Sequence, residues 1–195
     1  MKLLDLKVTL LCVKPPIWRK ALVDPELTLG SFHAVLQILM GWETAHLHRF
    51  CTGECTYSGP QFGLEGGVHD ERSVLVGDLL STPGTHLRYE YDFGDGWDHE
   101  IRCEDLVESD VKSPYAVSTS GSRACPPEDC GRPPGYTELL RAFNGNRGRR
   151  NDELRTWAGG HFDPEAFSTE QTNVALASLL RGKNGKGNRR STKSR

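Results

Sequence analysis

The sequence has few apolar residues and no long hydrophobic run. Hydrophobic residues make up 36% of the 195 residues. No stretch approaches the roughly 18 consecutive apolar residues of a membrane-spanning helix. The apolar opening contains Asp5 and Lys7, and no small-residue cleavage site follows it, which is not typical of a secretory signal. We therefore expect a cytoplasmic protein with no membrane partner, and the composition excludes coiled coils and fibres.

Acidic residues are missing from the C-terminal end of the chain. Residues 181–195 carry seven basic side chains, which leaves 17 basic and 26 acidic side chains for residues 1–180. The formal charge of −2 is therefore the sum of a basic tail and an acidic body. The tail is rich in Gly, Asn and Ser and cannot bury a core, so we predict that it is disordered.

The basic tail is a candidate contact for nucleic acid. A flexible segment of this charge can neutralise phosphates without sequence preference, and its affinity falls steeply as salt rises. The alternative is a solubilising tail that folds back on the acidic body, and the sequence favours neither. The residues expected to contact nucleic acid are Arg181, Lys183, Lys186, Arg189 and Arg190.

Local patterns predict strands and one helix in the first half of the chain. Apolar and polar residues alternate over residues 4–12, which predicts a half-buried strand. Pro15 and Pro16 end this strand because they remove backbone donors, and residues 17–23 resume as its hairpin partner. A helix is predicted over residues 28–40, where apolar residues recur at spacings of three and four.

The strongest hairpin signal lies in the middle of the chain. Two alternating segments, residues 87–93 and 97–103, flank a Gly-Asp-Gly turn at residues 94–96. Helices are predicted after residue 135, the last of them ending near residue 180. Residues 111–134 show no periodicity, and the proline-rich segment 125–135 is predicted to be a compact loop.

The order of these elements indicates a single α+β domain over residues 1–180. We predict a mainly antiparallel twisted sheet with the residue 28–40 helix packed on one face. The C-terminal helices are expected at one end of the sheet. Residues 181–195 form the separate basic tail.

Six blocks of residues occur in an order that is typical of one protein family. The blocks are Ile17-Trp18-Arg19, Phe32 to Phe50, Tyr89 to His99, Ala124 to Gly131, Pro134-Gly135-Tyr136, and Phe162 to Phe167. Together they resemble the plasmid pRiA4b ORF-three-like family, also known as the insertion-element passenger TnpR type. The resemblance implies a compact α+β domain encoded on plasmids, mobile elements and bacterial chromosomes. It implies no catalytic mechanism, and the sequence has none of the Ser- or Tyr-centred signatures of a recombinase.

Histidines and acidic residues suggest a divalent metal site. His46 and His48 share one face if their segment is a strand. Imidazole and carboxylate groups bind divalent ions such as zinc, which activate water in hydrolases and nucleases. In the alternative, structural interpretation, the acids serve the hairpin turn and the third histidine is a hydrogen-bonded core residue. The candidate ligands are His46, His48, Asp92, Asp95 and His99, with Asp98 beside them.

Two closely spaced pairs of cysteines offer a second candidate site. Cys51 with Cys55, and Cys125 with Cys130, could supply four thiolates to a tetrahedral zinc ion. A site made of Cys125, Cys130 and one or two histidines is an open variant. Because a cytoplasmic protein keeps its thiols reduced, free thiols or one reversible disulfide are the alternative.

These observations lead to two hypotheses. The first is a non-enzymatic accessory or binding domain encoded with mobile DNA, whose body contacts another protein or a small ligand and whose tail contacts nucleic acid weakly. The second is a metal-dependent hydrolase or nuclease built on the histidine and aspartate set. Convergence of those side chains on a common point in a cleft distinguishes the second from the first.

Overall fold

The computed structural model describes residues 1–62, 66–110, 116–145 and 148–187. Short 3₁₀ turns in this part of the chain lie at Pro60–Phe62 and Glu71–Ser73. The strands are β1 (Lys2–Leu10), β2 (Ile17–Val23), β3 (His48–Cys51), β4 (Thr56–Ser58), β5 (Val68–Asp70), β6 (His86–Tyr91), β7 (Trp97–Glu108) and β8 (Ala116–Ser122). The helices are α1 (Leu29–Met40), α2 (Val76–Leu80), α3 (Arg132–Asn144), α4 (Arg149–Trp157) and α5 (Thr169–Gly187).

The strands form one sheet in the order β5-β4-β3-β6-β7-β1-β2-β8. Neighbouring strands are antiparallel except for the parallel pair β4 and β5. The two predicted hairpins are present, because β1 pairs with β2 and β6 pairs with β7. The predicted α+β fold with a mainly antiparallel sheet is therefore confirmed. Among the described residues, no helix is long and apolar enough to cross a membrane.

Helix α1 covers the apolar face of the sheet. It begins after Thr28, whose side-chain oxygen accepts a hydrogen bond from Ser31 N at 3.2 Å. It ends at Gly41, where a φ of 87° favours glycine because no Cβ clashes there. Burial of each large apolar side chain stabilises this packing by about 1.5 to 3 kcal/mol. Fully or almost fully buried members of the core include Phe32, Val35, Leu36, Leu6, Val8, Ile101 and Tyr89.

The opposite face of the sheet is polar and carries ion pairs between neighbouring strands. Arg49 Nε donates a hydrogen bond to Glu90 at 2.7 Å, and Lys20 Nζ lies 2.5 Å from Glu104. Successive side chains of a strand point to opposite faces, so the alternation in the sequence leaves one buried face and one exposed face. The prediction of half-buried strands is confirmed.

Strand β8 lies at one edge of the sheet, in a segment where the sequence shows no periodicity. Its residues are mostly Ser, Thr and Gly, so an apolar alternation is hardly visible. Asn173 of α5 pairs with the backbone of Ser118: its Oδ1 accepts from Ser118 N at 2.7 Å, and its Nδ2 donates to Ser118 O at 2.9 Å. This contact occupies a part of the edge that would otherwise be free to pair with another strand.

The last helix extends beyond its predicted end. Helix α5 reaches Gly187, so residues 181–187, predicted to be disordered, are helical. The physical reason is that a helix needs no apolar residues to continue from an existing turn, since each added residue gains a backbone hydrogen bond. Residues 188–195, the rest of the predicted tail, lie outside the described residues.

Candidate functional site

Three segments that are distant in the sequence meet around the side chain of His46. They are the loop after α1, the turn between β6 and β7, and the loop before α3. His46 Nδ1 lies 3.7 Å from Asp92 Oδ1, and His46 Nε2 lies 3.5 Å from both Glu128 Oε2 and Asp129 Oδ1. We refer to His46, Asp92, Glu128 and Asp129 as the His46 cluster.

Asp92 is held in place by the hairpin turn. Its backbone has a φ of 57°, a left-handed conformation that Asp tolerates better than most residues. Its Oδ1 accepts hydrogen bonds from Gly94 N at 2.9 Å and Asp95 N at 3.2 Å. Asp95 Oδ2 in turn accepts from Gly131 N at 3.1 Å. The turn and the loop before α3 are thus tied together, which fixes Asp92 relative to Glu128.

Glu128 is oriented by two donors on one of its oxygens. Its Oε1 accepts hydrogen bonds from Tyr91 OH and from Glu43 N, each at 3.0 Å. Burial, followed by the hydrogen bond to Glu128, raises the pKa of Tyr91, so the phenol remains a neutral donor. The other oxygen, Oε2, is buried, has no hydrogen-bond partner and faces His46. The site therefore contains a desolvated carboxylate oxygen whose partner is missing.

The loop that carries Glu128 is anchored by a buried arginine, Arg19, which is only 2% exposed. All five of its guanidinium N–H groups have acceptors, so the cation is satisfied without a carboxylate. The loop also receives a hydrogen bond from Trp42 Nε1 to Pro126 O at 2.9 Å. The acceptors of Arg19 are Leu39 O, Trp18 O, Ser122 O, Arg123 O and Cys125 Sγ.

The His46 cluster has the composition and spacing of a divalent metal site. One ligand atom from each of His46, Asp92 and Glu128 lies within 4.8 Å of the other two. A bound ion at about 2.1 Å from each ligand requires ligand separations of roughly 3 to 4.2 Å, so small side-chain movements suffice. In the described part of the chain, no other group of three His, Cys, Asp or Glu residues is this close. Imidazole with carboxylates suits zinc, manganese or ferrous iron.

His48, the second predicted ligand, belongs to a different network. It begins β3 and points into the core, where its Nε2 lies 2.8 Å from Glu71 Oε2. Its ring stacks on that of His33, which is hydrogen-bonded through Nδ1 to Tyr89 OH at 2.8 Å. Burial, with a smaller contribution from His48, lowers the pKa of His33 to about 3. The reason for the separation is that His46 lies in the loop before β3, so the two histidines do not share a strand face.

The remaining predicted ligands are also dispersed. His99 is fully buried, with its Nδ1 3.1 Å from Tyr89 O, and burial lowers its pKa to about 4. Asp95 is occupied by Gly131 N, and Asp98 pairs with Arg88 on the exposed sheet face. Of the five candidates His46, His48, Asp92, Asp95 and His99, the structure brings only His46 and Asp92 together in a possible metal site.

The four candidate thiols are not brought together. Cys51 pairs with Thr56 in the β3–β4 hairpin, whereas Cys55 packs against the core, so the two face opposite sides. Burial raises the pKa of Cys125 to about 11 and that of Cys130 to about 12, which keeps both thiols protonated. None of the cysteines in the described residues joins a possible metal group, and the six are free. The zinc site predicted from the cysteine spacing does not form.

Little of the predicted nucleic-acid contact can be described. Arg181 is exposed and its Nε donates to Ala177 O at 3.1 Å. The side chains of Lys183 and Lys186, and the residues Arg189 and Arg190, lie outside the described part of the structure. Their contact with nucleic acid remains a prediction.

The sequence did not identify Glu128 as a site residue. Glu128 and Asp129 lie between Cys125 and Cys130, a segment in which the cysteine spacing attracted attention. The available signal was the acidic pair inside a proline-stiffened loop. Its meaning depends on His46 and Asp92, which only the fold brings near.

Comparisons with known proteins give consistent results. The family model described as "Plasmid pRiA4b ORF-3-like protein" matches residues 2–171. The chain is 34% identical over 177 residues to "Uncharacterized protein y4hQ" of Sinorhizobium fredii, covering 89% of this chain and 90% of that protein. The crystal structure of a protein of unknown function, MM3350 from Methanosarcina mazei Go1, is similar with a TM-score of 0.78 and 29% identity. That match covers 87% of this chain and 96% of the other.

Proposed function

The chain belongs to the plasmid pRiA4b ORF-3-like family, and we propose that its body is a non-enzymatic accessory domain that binds a divalent metal ion. The ligands are His46, Asp92 and Glu128, with Asp129 as a further oxygen donor. The ion orders the three segments that meet at the site. The domain then presents a metal-dependent surface to its partner.

The buried, unpaired Oε2 of Glu128 is the observation that carries this proposal. Desolvation of a carboxylate oxygen is unfavourable unless a cation or a donor compensates it. Three carboxylates surround one imidazole, and in the described residues no Lys or Arg forms an ion pair with any of the three. A divalent cation supplies the missing positive charge, and the imidazole supplies a nitrogen ligand that favours transition metals.

Metal titration of the full-length protein tests the proposal. Chelator-treated protein is titrated with Zn²⁺ and with Mn²⁺ by calorimetry, and one ion per chain is expected. His46→Gln and Glu128→Gln each remove a ligand and should weaken binding by at least about tenfold. Glu43→Gln is the matched control, because its carboxylate lies in the same loop but outside the group of ligands. Absence of uptake by the folded protein, or equal affinity in all variants, contradicts the proposal.

A hydrolase is the second candidate, because one side of the site faces solvent. The Asp129 side chain is 76% exposed, which leaves room for a metal-bound water. Against it, residues 88–112 are strongly acidic and repel a phosphate backbone. Hydrolysis of bis(p-nitrophenyl) phosphate by the metal-loaded protein, abolished in Glu128→Gln, would favour the hydrolase over the accessory domain.

The basic tail contributes a weak, salt-dependent contact with nucleic acid in this proposal. Its support is the charge pattern alone: seven basic side chains and no acidic one in residues 181–195. The acidic body makes the tail the natural place for phosphate contacts.

A further inference from the structure

A groove between α3 and α4 lies directly beside the His46 cluster. Its volume is about 290 Å³, near the lower end of small-molecule sites. We call it the α3–α4 groove. Its lining residues are Asp129, Cys130, Gly131, Gly135, Leu139, Arg150, Glu153, Leu154 and Trp157.

Asp129 connects the groove to the cluster. Its Oδ1 lies 3.5 Å from His46 Nε2, and the same side chain lines the groove. The opposite depression of similar size, about 310 Å³ beside Arg88 and Glu100 on the polar sheet face, has none of the four cluster residues in its lining. A ligand in the α3–α4 groove can therefore reach an ion held by the cluster, whereas a ligand in the other depression cannot.

The groove has apolar walls and a tightly packed base. Leu139 is 1% exposed and forms the floor, and Trp157 is 50% exposed and forms one side. Helix α4 buries none of its own side chains, so Trp157 has a face free for contact. At Gly135 a Cβ would lie 2.0 Å from Cys130 O, so glycine is needed for α3 to approach the loop this closely. This shape suits a flat aromatic group or a short aliphatic one.

The charges around the groove select an anion only when metal is present. Asp129 and Glu153 repel an anion, and Arg150, which would attract one, already bonds Glu138 at 3.0 Å. A divalent ion in the cluster reverses the sign of the field at that end and offers an open coordination position. A carboxylate is a ligand that such an ion accepts readily.

We propose that the α3–α4 groove binds a small carboxylate with an aromatic or aliphatic body, whose carboxylate coordinates the ion of the His46 cluster and whose body packs on Trp157 and Leu139. This inference rests on the proposed metal-binding function. It assigns to the site a ligand class and a metal-dependent affinity.

Phenylacetate is a suitable probe, and saturation-transfer difference NMR with the full-length, zinc-loaded protein detects its binding. Binding is expected in the presence of zinc and should weaken at least about tenfold after zinc is removed by a chelator. The neutral analogue 2-phenylethanol should bind more weakly than phenylacetate to the zinc-loaded protein, because it cannot donate a carboxylate to the ion.

Variants separate the groove from the metal site. Trp157→Ala and Trp157→Gln should each weaken phenylacetate binding roughly tenfold without changing zinc affinity. Val174→Ala is the control, because Val174 is an apolar residue on α5, 64% exposed and outside the groove. If zinc binds but phenylacetate does not, or if its binding ignores zinc or Trp157, the inference is overturned and the metal-binding function stands. If zinc itself does not bind, both are overturned.

Discussion

The imidazole rings of His33 and His48 are stacked in the core, with centroids 3.5 Å apart and planes inclined by 5°. His33 comes from α1 and His48 from β3, so the pair joins the helix to the sheet. Glu71 lies 2.8 Å from His48 Nε2 and provides one negative charge for the pair. A second proton on the stack has no such partner, which makes the core sensitive to acid.

We expect the free energy of unfolding to fall as the pH decreases from about 6.5. His33 has a folded-state pKa of about 3 and His99 one of about 4, both below the ordinary value of 6.5. The unfolded chain therefore takes up these protons at a higher pH than the native protein does. Their contribution to stability is complete above pH 6.5 and is lost towards pH 4 and 3, by about 1.4 kcal/mol per pH unit for each proton.

The variant His33→Asn tests this pH dependence by urea unfolding between pH 4.5 and 7.5. Asn cannot take up the proton, so the slope of unfolding free energy against pH should decrease by up to one proton. Tyr89→Phe is the control: it removes the hydroxyl that bonds His33, but burial holds the pKa of Tyr89 well above this range. An unchanged slope in His33→Asn would show that His33 is not the responsible group.

Arg19→Lys should destabilise the protein by several kcal/mol. A lysine cannot reach the four carbonyl groups and the thiol that the guanidinium group joins. Each carbonyl left buried without a donor costs about 1 to 3 kcal/mol. Lys20→Gln, the neighbouring substitution on the polar face, should cost at most about 1 kcal/mol. Urea midpoints compare the two, and equal losses would contradict a special role for Arg19.

Asn173→Ala should both destabilise the protein and make it more prone to aggregate. The change leaves the N–H and C=O of Ser118 without their side-chain partners at the sheet edge. We expect a loss of about 1 to 3 kcal/mol and faster growth of light scattering on warming. Val174→Ala, the next residue on α5, provides the comparison because it is 64% exposed. Identical behaviour of the two variants would mean that Asn173 does not protect the edge.

Deletion of residues 181–195 should weaken nonspecific DNA binding and reduce its dependence on salt. Each phosphate contact that is lost lowers the slope of log affinity against log salt by about 0.9. Fluorescence anisotropy with a random duplex at several salt concentrations measures this slope. Because α5 continues to Gly187, a second variant with Gln at Lys183, Lys186, Arg189 and Arg190 keeps the chain length and removes only charge. Unchanged binding in both variants would exclude the tail as the contact.

Much of the fold follows from local signals in the sequence. Alternation over β1, β6 and β7 places apolar residues on one face, because successive side chains of a strand point to opposite sides. Thr28 and Gly41 mark the ends of α1, because a side-chain oxygen and a left-handed glycine satisfy the helix termini. These signals lie within a few residues of the structure they specify. The family resemblance, carried by six blocks, is likewise readable from the sequence and is confirmed.

The tertiary structure decided what local patterns could not. Strand β8 is specified by its pairing with β2 and by Asn173, not by its own composition. His46 and His48 are two residues apart, yet they separate because β3 begins only at His48. Glu128 meets His46 because Arg19 and the β6–β7 turn hold its loop in place. A site of this kind depends on contacts between distant segments, so the sequence by itself determined the sheet and the covering helix, while packing decided which histidine and which carboxylates come together.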